Sequence, residues 1–310
     1  MAGMISESET LDRSNLIDVD SCPICSSASF AVVGSRKSIH PRPVLTFQIR
    51  SCDGCNHWFT SPAPTQPYLS QLYSQGSLSV LGKGWEENTA RSFNDATHPN
   101  VDLSSGNWVV QDATALVPER YLEMGPGDGS MLRAFKAMGW ECFAVEPGSW
   151  ARDETNIYQD IGDVPAAATF KVIVANDVLE HMTEPATGFC LCARKLARGG
   201  RFYCSFPNAE SFRAQHGKTK WRMVRPVGHL HYFSKKSIGK LLADNGLQAL
   251  RIDNYDKLSA GAVKTIFDRL SQLDFRKAAG ALRNTMNSAL STLIEEYHSG
   301  DQWRVIATRD

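Results

Sequence analysis

The sequence predicts an α/β protein built on a doubly wound, mostly parallel sheet, with a small cysteine-built module in front of it. Three observations carry this. From residue 119 onward, short apolar strands alternate with helix-like stretches, the pattern of a parallel sheet covered by helices on both faces. The stretch "YLEMGPGDGS", residues 121–130, places Gly125, Gly127 and Gly129 between the end of such a strand and the start of such a helix, where doubly wound sheets hold their ligands. Ahead of all this stand "SCPIC" and "SCDGC", a doubled C-x-x-C pattern.

Taken in order, residues 1–20 are polar and acidic and predict a disordered tail. Residues 21–65 predict a ribbon. Cys22 and Cys25, then Cys52 and Cys55, can each form a tight turn that aims two thiolates at one metal, with "FAVVG" and "VLTFQIR" as the strands between. Four thiolates close a tetrahedral zinc site and leave no position for a substrate, so this Zn2+ is expected to be structural. Zinc binding in comparable small modules is worth about 10–16 kcal/mol, more than so short a segment gains from its own core. The other four of the eight cysteines, Cys142, Cys190, Cys192 and Cys204, lie in apolar or helical stretches and read as buried thiols. "SPAPTQP" ends the ribbon, and residues 66–115 read as a connecting segment, helical at "YLSQLYSQ" and irregular afterwards.

The large domain is expected over 116–310, with "RYLEMG", "CFAVEP", "KVIVAND", "RFYCSFPN", "LQALRIDNYD" and "QWRVIATRD" as strands. "SMLRAFKAMGW" and "ATGFCLCARKLARGG" read as helices between them. Between the last two strands, Val263, Ile266, Phe267, Leu270 and Leu273 fall at helical spacing, which predicts helices inserted at about 261–298. These helices are candidates to pack a homodimer or to close over the site. Lys plus Arg and Asp plus Glu each total 33, so no global field draws the chain to nucleic acid or to an anionic membrane. The first residues have no basic start followed by an apolar core, and no segment approaches the roughly 20 apolar residues of a membrane span. A cytoplasmic location is expected.

The glycine loop departs from the dinucleotide fingerprint G-x-G-x-x-G, because Ser130 stands where the third glycine belongs. Glu123, two residues before the loop, weighs further against a pyrophosphate: a carboxylate about 4 Å away costs about 4 kcal/mol per charge at an effective dielectric of about 20. A cationic ligand fits better. Glu146, at the end of the next strand, is placed to accept hydrogen bonds from both hydroxyls of a ribose. A ribose, no phosphate and a positive charge near the loop together describe S-adenosylmethionine (SAM).

"LEMGPGDGS", "AVEP", "FKVIVANDVLEHMTEP" and "FYCSFPN" resemble, in order and spacing, the successive motifs of class I SAM-dependent methyltransferases over about residues 119–250. The resemblance implies a seven-stranded, Rossmann-like sheet. It implies that Glu123, Gly125, Gly127 and Gly129 surround the methionine moiety, that Glu146 holds the ribose and that Asn176 and Asp177 lie near the methyl donor. Asp160 is the choice for the adenine, in a segment that is short for this role. "CPIC", "CDGCNHWFTSPAPTQPYLSQLY" and "GHLHYFSKKSIGKLLADNGL" look like a subgroup with a zinc ribbon ahead of the methyltransferase domain, which includes sugar C-methyltransferases. Members of that subgroup carry a Glu-His pair before "YF", whereas here Gly228 precedes His229 and His231 follows two residues on, so their substrate does not transfer.

In methyl transfer the sulfonium supplies the leaving group and alignment is the enzyme's main work, with a base needed for a hydroxyl or an acidic carbon. His229, His231 and His181 are the candidates, because histidine titrates near neutrality. His229 and His231 alternate on an extended segment and point to opposite sides, and His229 is the preferred base. Trp221 and Tyr232 are candidates for shaping the acceptor pocket. The expected acceptor is a small molecule, a sugar or hydroxylated metabolite. Two alternatives stay open: an RNA methyltransferase that grips RNA through Arg36, Lys37, Arg42 and Arg50 of the ribbon, and an inactive SAM fold used as an interaction module.

Overall fold

The computed structural model describes residues 11–38, 44–74, 107–148, 156–255 and 300–310. The helices expected at 261–298, residues 1–10 of the expected tail and most of the irregular connection lie outside them. Residues 11–20, expected as tail, are ordered instead. Leu11 is fully buried against Phe47, Leu69 and Leu230, and the short strand β1 (Leu16–Ile17) pairs with β5 (Ala63–Pro64). A single apolar anchor and two strand residues were too short a signal to outweigh the polar composition.

The ribbon is formed by β2 (Phe30–Lys37), β3 (Thr46–Cys52) and β4 (Trp58–Ser61), all antiparallel, and leads into helix α1 (Gln66–Ser74). Its sheet has a fourth strand from far along the chain: β11 (His231–Tyr232) pairs with β4, His231 opposite Phe59 and Tyr232 opposite Trp58. The ribbon and the large domain thus share one sheet and one core, in which Cys22, Ile24, Cys55 and Phe59 pack with Leu179, Phe206, Phe233 and Ile238.

The large domain begins with helix α2 (Asn107–Ala113) and then alternates as expected: β6 (Arg120–Met124), α3 (Ser130–Ala137), β7 (Glu141–Val145), β8 (Ile157–Tyr158), β9 (Phe170–Asn176), α4 (Pro185–Lys195) and β10 (Leu196–Pro207). After α5 (Phe212–Gly217) and β11 come α6 (Lys235–Asp244), β12 (Gln248–Tyr255) and β13 (Gln302–Thr308). The sheet has seven strands in the order β12-β13-β10-β9-β6-β7-β8. The five from β10 to β8 are parallel, and β13 runs antiparallel between β10 and β12. Val172, Ile173, Val174 and Ala175 of β9 are all fully buried, because a central parallel strand is covered on both faces. Order in the sheet reverses between β6 and β9, which follow each other in space but not in sequence. The crevice at the carboxyl ends of these two strands is where an open α/β sheet binds its ligand.

Candidate functional site

β6 alternates faces. Leu122 and Met124 enter one core layer, while Tyr121 enters the other and Glu123 shares its side of the strand. Glu123 is buried, and its Oε2 has no hydrogen-bond partner among the described residues. Burial pushes this carboxyl up to about 8, against a smaller lowering by Tyr121. The chain then turns through Gly125, Gly127 and Gly129, all with left-handed backbone (φ 63°, 56° and 71°). At Gly125 a side chain would also lack room, since a Cβ would meet Val178 Cγ2 at 3.0 Å. Asp128 fixes the turn by accepting from the Ser130 amide (3.0 Å) and hydroxyl (2.7 Å) at the start of α3.

Glu146 follows β7 and is held by the Gly148 N–H, which donates to its Oε1 at 2.7 Å. Burial pushes it up to about 7 despite that bond. At the end of β9 both the Oδ1 and the Nδ2 of Asn176 are buried without a partner among the described residues. Asp177 next to it adopts φ 54° and accepts from Gln302 Nε2 (2.6 Å) and Ser205 Oγ (3.3 Å). Glu123, Glu146 and Asn176 therefore sit at the carboxyl ends of three adjacent strands, and Glu123 Oε2 and the Asn176 amide are buried there without partners among the described residues. Asp160 is placed differently: it is exposed and caps the turn Ile161–Asp163, its Oδ1 accepting from the Gly162 N–H at 2.7 Å.

The turn Leu179–His181 leaves the end of β9 and carries Glu180, fully buried, beside His181. His181 Nδ1 donates to the Gly228 carbonyl at 2.7 Å, and His229 Nδ1 donates to the Met223 carbonyl at 2.8 Å. A carbonyl only accepts, so each Nδ1 bears a proton. The two rings meet edge to face at 4.9 Å, and His181 Nε2 lies 3.9 Å from Glu180 Oε1. Burial holds His181 below its ordinary value, so it is neutral at pH 7. The cluster lies near the glycine loop: Val178, two residues before Glu180, fills the space a Cβ on Gly125 would need, and the hydroxyl of Tyr73 on α1, raised mainly by burial, is raised further by both Glu180 and Glu146.

His231 points the other way. Its Nε2 donates to the Met182 carbonyl (2.9 Å) and its Nδ1 accepts from His57 Nε2 (3.2 Å), while burial holds it down to about 3. With both nitrogens committed, His231 joins the ribbon to the domain and has no lone pair to serve as a base. Tyr232 and Trp221 likewise belong to the core. Tyr232 donates to the His229 carbonyl at 2.9 Å, and Trp221 Nε1 donates to the buried Asp301 at 2.9 Å.

The four ribbon cysteines converge from their two knuckles, Cys22 Sγ lying 3.6 Å from Cys55 Sγ and Cys25 Sγ 3.4 Å from Cys52 Sγ. Tetrahedral zinc with bonds of about 2.3 Å separates its sulfurs by about 3.8 Å, so the set is compatible with one such ion. The knuckles match. Ser26 and Asn56, each directly after a second cysteine, both have φ 59° and donate their N–H to the carbonyls of Cys22 and Cys52. Without a metal, the contact between Cys22 and Cys55 lowers the Cys22 thiol and raises that of Cys55, as two sulfurs sharing one proton do. The ribbon also holds the histidine cluster. Thr60 donates its N–H to the Leu230 carbonyl and its hydroxyl to the His229 carbonyl, and Leu230 N–H donates to the Glu180 carbonyl at 2.7 Å. Glu180, His57 and Tyr73 escaped the sequence reading; "LEHM" held the only signal, for Glu180 alone.

Residues 106–252 match the family model described as a methyltransferase domain. No curated protein matches the sequence. Solved structures with a similar fold include a SAM-dependent methyltransferase from Archaeoglobus fulgidus, at 15% identity over 66% of this chain and 94% of that one, with a TM-score of 0.48. They also include the [4+2]-cyclase SpnF (18%, 80% and 97%, TM-score 0.49) and magnesium protoporphyrin IX methyltransferase from Synechocystis PCC 6803 (12%, 79% and 100%, TM-score 0.46). The family match and the strand order carry the assignment. Residues 106–252 form a methyltransferase domain, carried on the doubly wound, seven-stranded sheet.

Proposed function

We propose that the chain moves the methyl group of SAM to a small-molecule acceptor, a sugar or hydroxylated metabolite, by in-line displacement. Glu123 and the glycine loop hold the methionine end, Glu146 accepts from the ribose hydroxyls, and Asn176 and Asp177 lie beside the donor. Asp160, with one carboxylate oxygen committed to its own turn, contributes to the adenine end only through its remaining oxygen. The single observation that carries the reading is the group of unpartnered buried atoms, Glu123 Oε2 and the Asn176 amide, at the reversal point of the sheet. They ask for a ligand with an ammonium and hydrogen-bonding groups.

The Glu180, His181 and His229 cluster activates the acceptor, with His229 foremost. A structural zinc ion in the four-cysteine ribbon holds β4 and hence the 228–232 segment against Glu180. This use of the ribbon disfavours the RNA reading. Arg36 is directed at the backbone carbonyls of Thr219 and Trp221, and Arg50 is held by Gln48 and the Val19 carbonyl and lies over the Phe30 ring; Arg42 lies outside the described residues. The test is turnover of SAM with pools of hydroxylated small molecules. His229→Ala is expected to lower turnover by about 100-fold or more while leaving SAM affinity in place. Equal turnover in the variant removes His229 from the chemistry, and methylation of RNA alone would replace the small-molecule reading.

A further inference from the structure

We propose that Glu180, His181 and His229 form a second metal site, distinct from the ribbon, that takes a divalent first-row cation such as Mn2+, Fe2+ or Zn2+ and presents it to the acceptor. One ligand atom from each of the three residues lies within 4.8 Å of the others. The donor set is one carboxylate and two imidazoles, the set that binds such cations with positions left open for substrate. The surroundings suit ligation. Each imidazole gives its Nδ1–H to a backbone carbonyl, Gly228 for His181 and Met223 for His229, which fixes the tautomer that turns Nε2 into the ligand atom. The carboxylate is fully buried and His229 nearly so.

The three ligands come from two segments that the fold brings together from afar. Glu180 and His181 follow β9, while His229 precedes β11, and the Leu230 N–H to Glu180 carbonyl bond of 2.7 Å ties the segments beside the site. The ribbon thereby acts on this second centre through β4 and Thr60.

The place of this cation in catalysis rests on the methyltransferase reading, whereas its binding does not. An acceptor hydroxyl that takes an open position on the ion loses its proton to solvent at neutral pH, because the cation lowers its pKa. The resulting oxyanion attacks the methyl carbon of SAM, forming the O–CH3 bond as the S–CH3 bond breaks. S-adenosylhomocysteine leaves as a neutral thioether. In that state Nε2 of His229 is a ligand, and the cation supplies the acidity.

The experiment uses the full chain with its ribbon metal in place and Mn2+ as the sole probe, without SAM or acceptor. Bound Mn2+ is counted by electron paramagnetic resonance, and zinc is counted by elemental analysis of the same sample. The expected result is one divalent ion per chain beyond the cysteine-bound one, with 14N couplings from imidazole in pulsed spectra when the ion is Mn2+. Glu180→Gln and His229→Ala should each weaken that extra ion at least tenfold with the ribbon metal retained. Should a variant fail to fold, the nitrogen couplings of the wild-type protein decide the matter alone. A total of one ion per chain overturns the site, as does extra Mn2+ without nitrogen couplings or extra binding that both variants keep. SAM titrated in parallel separates the two readings: SAM bound with no second ion refutes the site alone, and a second ion with no SAM binding refutes the methyltransferase reading alone.

Discussion

Lowering the pH from 7.5 to 6 is expected to weaken SAM binding by more than an order of magnitude, through two buried carboxyls that must be ionised to hold the ligand. Glu123 titrates at about 8, so its ionised fraction falls from about one quarter at pH 7.5 to about one hundredth at pH 6, a loss of about 20-fold. Glu146 titrates at about 7, which adds a loss of about 8-fold over the same interval. The interval stops below the range near 8 in which the ligand's own α-amino group titrates. Both carboxyls lie above their ordinary value of 4.5, so their contribution to the stability of the ligand-free fold is complete below pH 4.5 and is lost as pH rises through about 7 and 8. Stability and affinity therefore run in opposite directions with pH, and the thermal shift produced by SAM should be largest near pH 7.5. Calorimetric titration at four pH values measures this. Glu123→Gln should remove the steeper part of the dependence and leave the part due to Glu146. An affinity flat from pH 6 to 7.5 in the wild-type protein would refute the assignment of these two carboxyls to the ligand.

Glu146→Ala should weaken SAM binding at pH 7.5 at least tenfold without a comparable loss of thermal stability; unchanged affinity would remove Glu146 from the ribose. Asp301→Ala should destabilise the fold by about 3–5 kcal/mol in denaturant titration, since it strips Arg213, Arg222 and Trp221 of a carboxylate that is fully buried. Cys55→Ser should abolish zinc binding, lower the melting temperature and reduce methyl transfer, because the ribbon strand holds Leu230 and His229 in place. Retained activity in a zinc-free protein would show that the ribbon does not support the site.

The long strands were legible because each is an apolar run of the right length, and the glycine loop because left-handed turns leave a residue-type mark at 125, 127 and 129. Tyr232 and Trp221 lie in the core, the commoner place for such residues: an aromatic ring with one polar atom looks alike in a pocket and in a core, and here both polar atoms are satisfied internally. The separation of His229 from His231 followed from strand alternation. Their hydrogen-bond partners did not, because Met223, Met182 and His57 are distant in sequence or unremarkable in type. For the same reason β11, two residues long, gave no sign that the ribbon is completed by the methyltransferase domain. Glu180 stood next to a named candidate, but its burial is a property of the packed turn.

The most direct test of the central claim is calorimetric titration of the purified protein with SAM at pH 7.5, with NADH run in parallel. Binding of SAM and not of NADH is the predicted result; binding of NADH, or of neither, would contradict the account of the glycine loop and of the two carboxylates beside it.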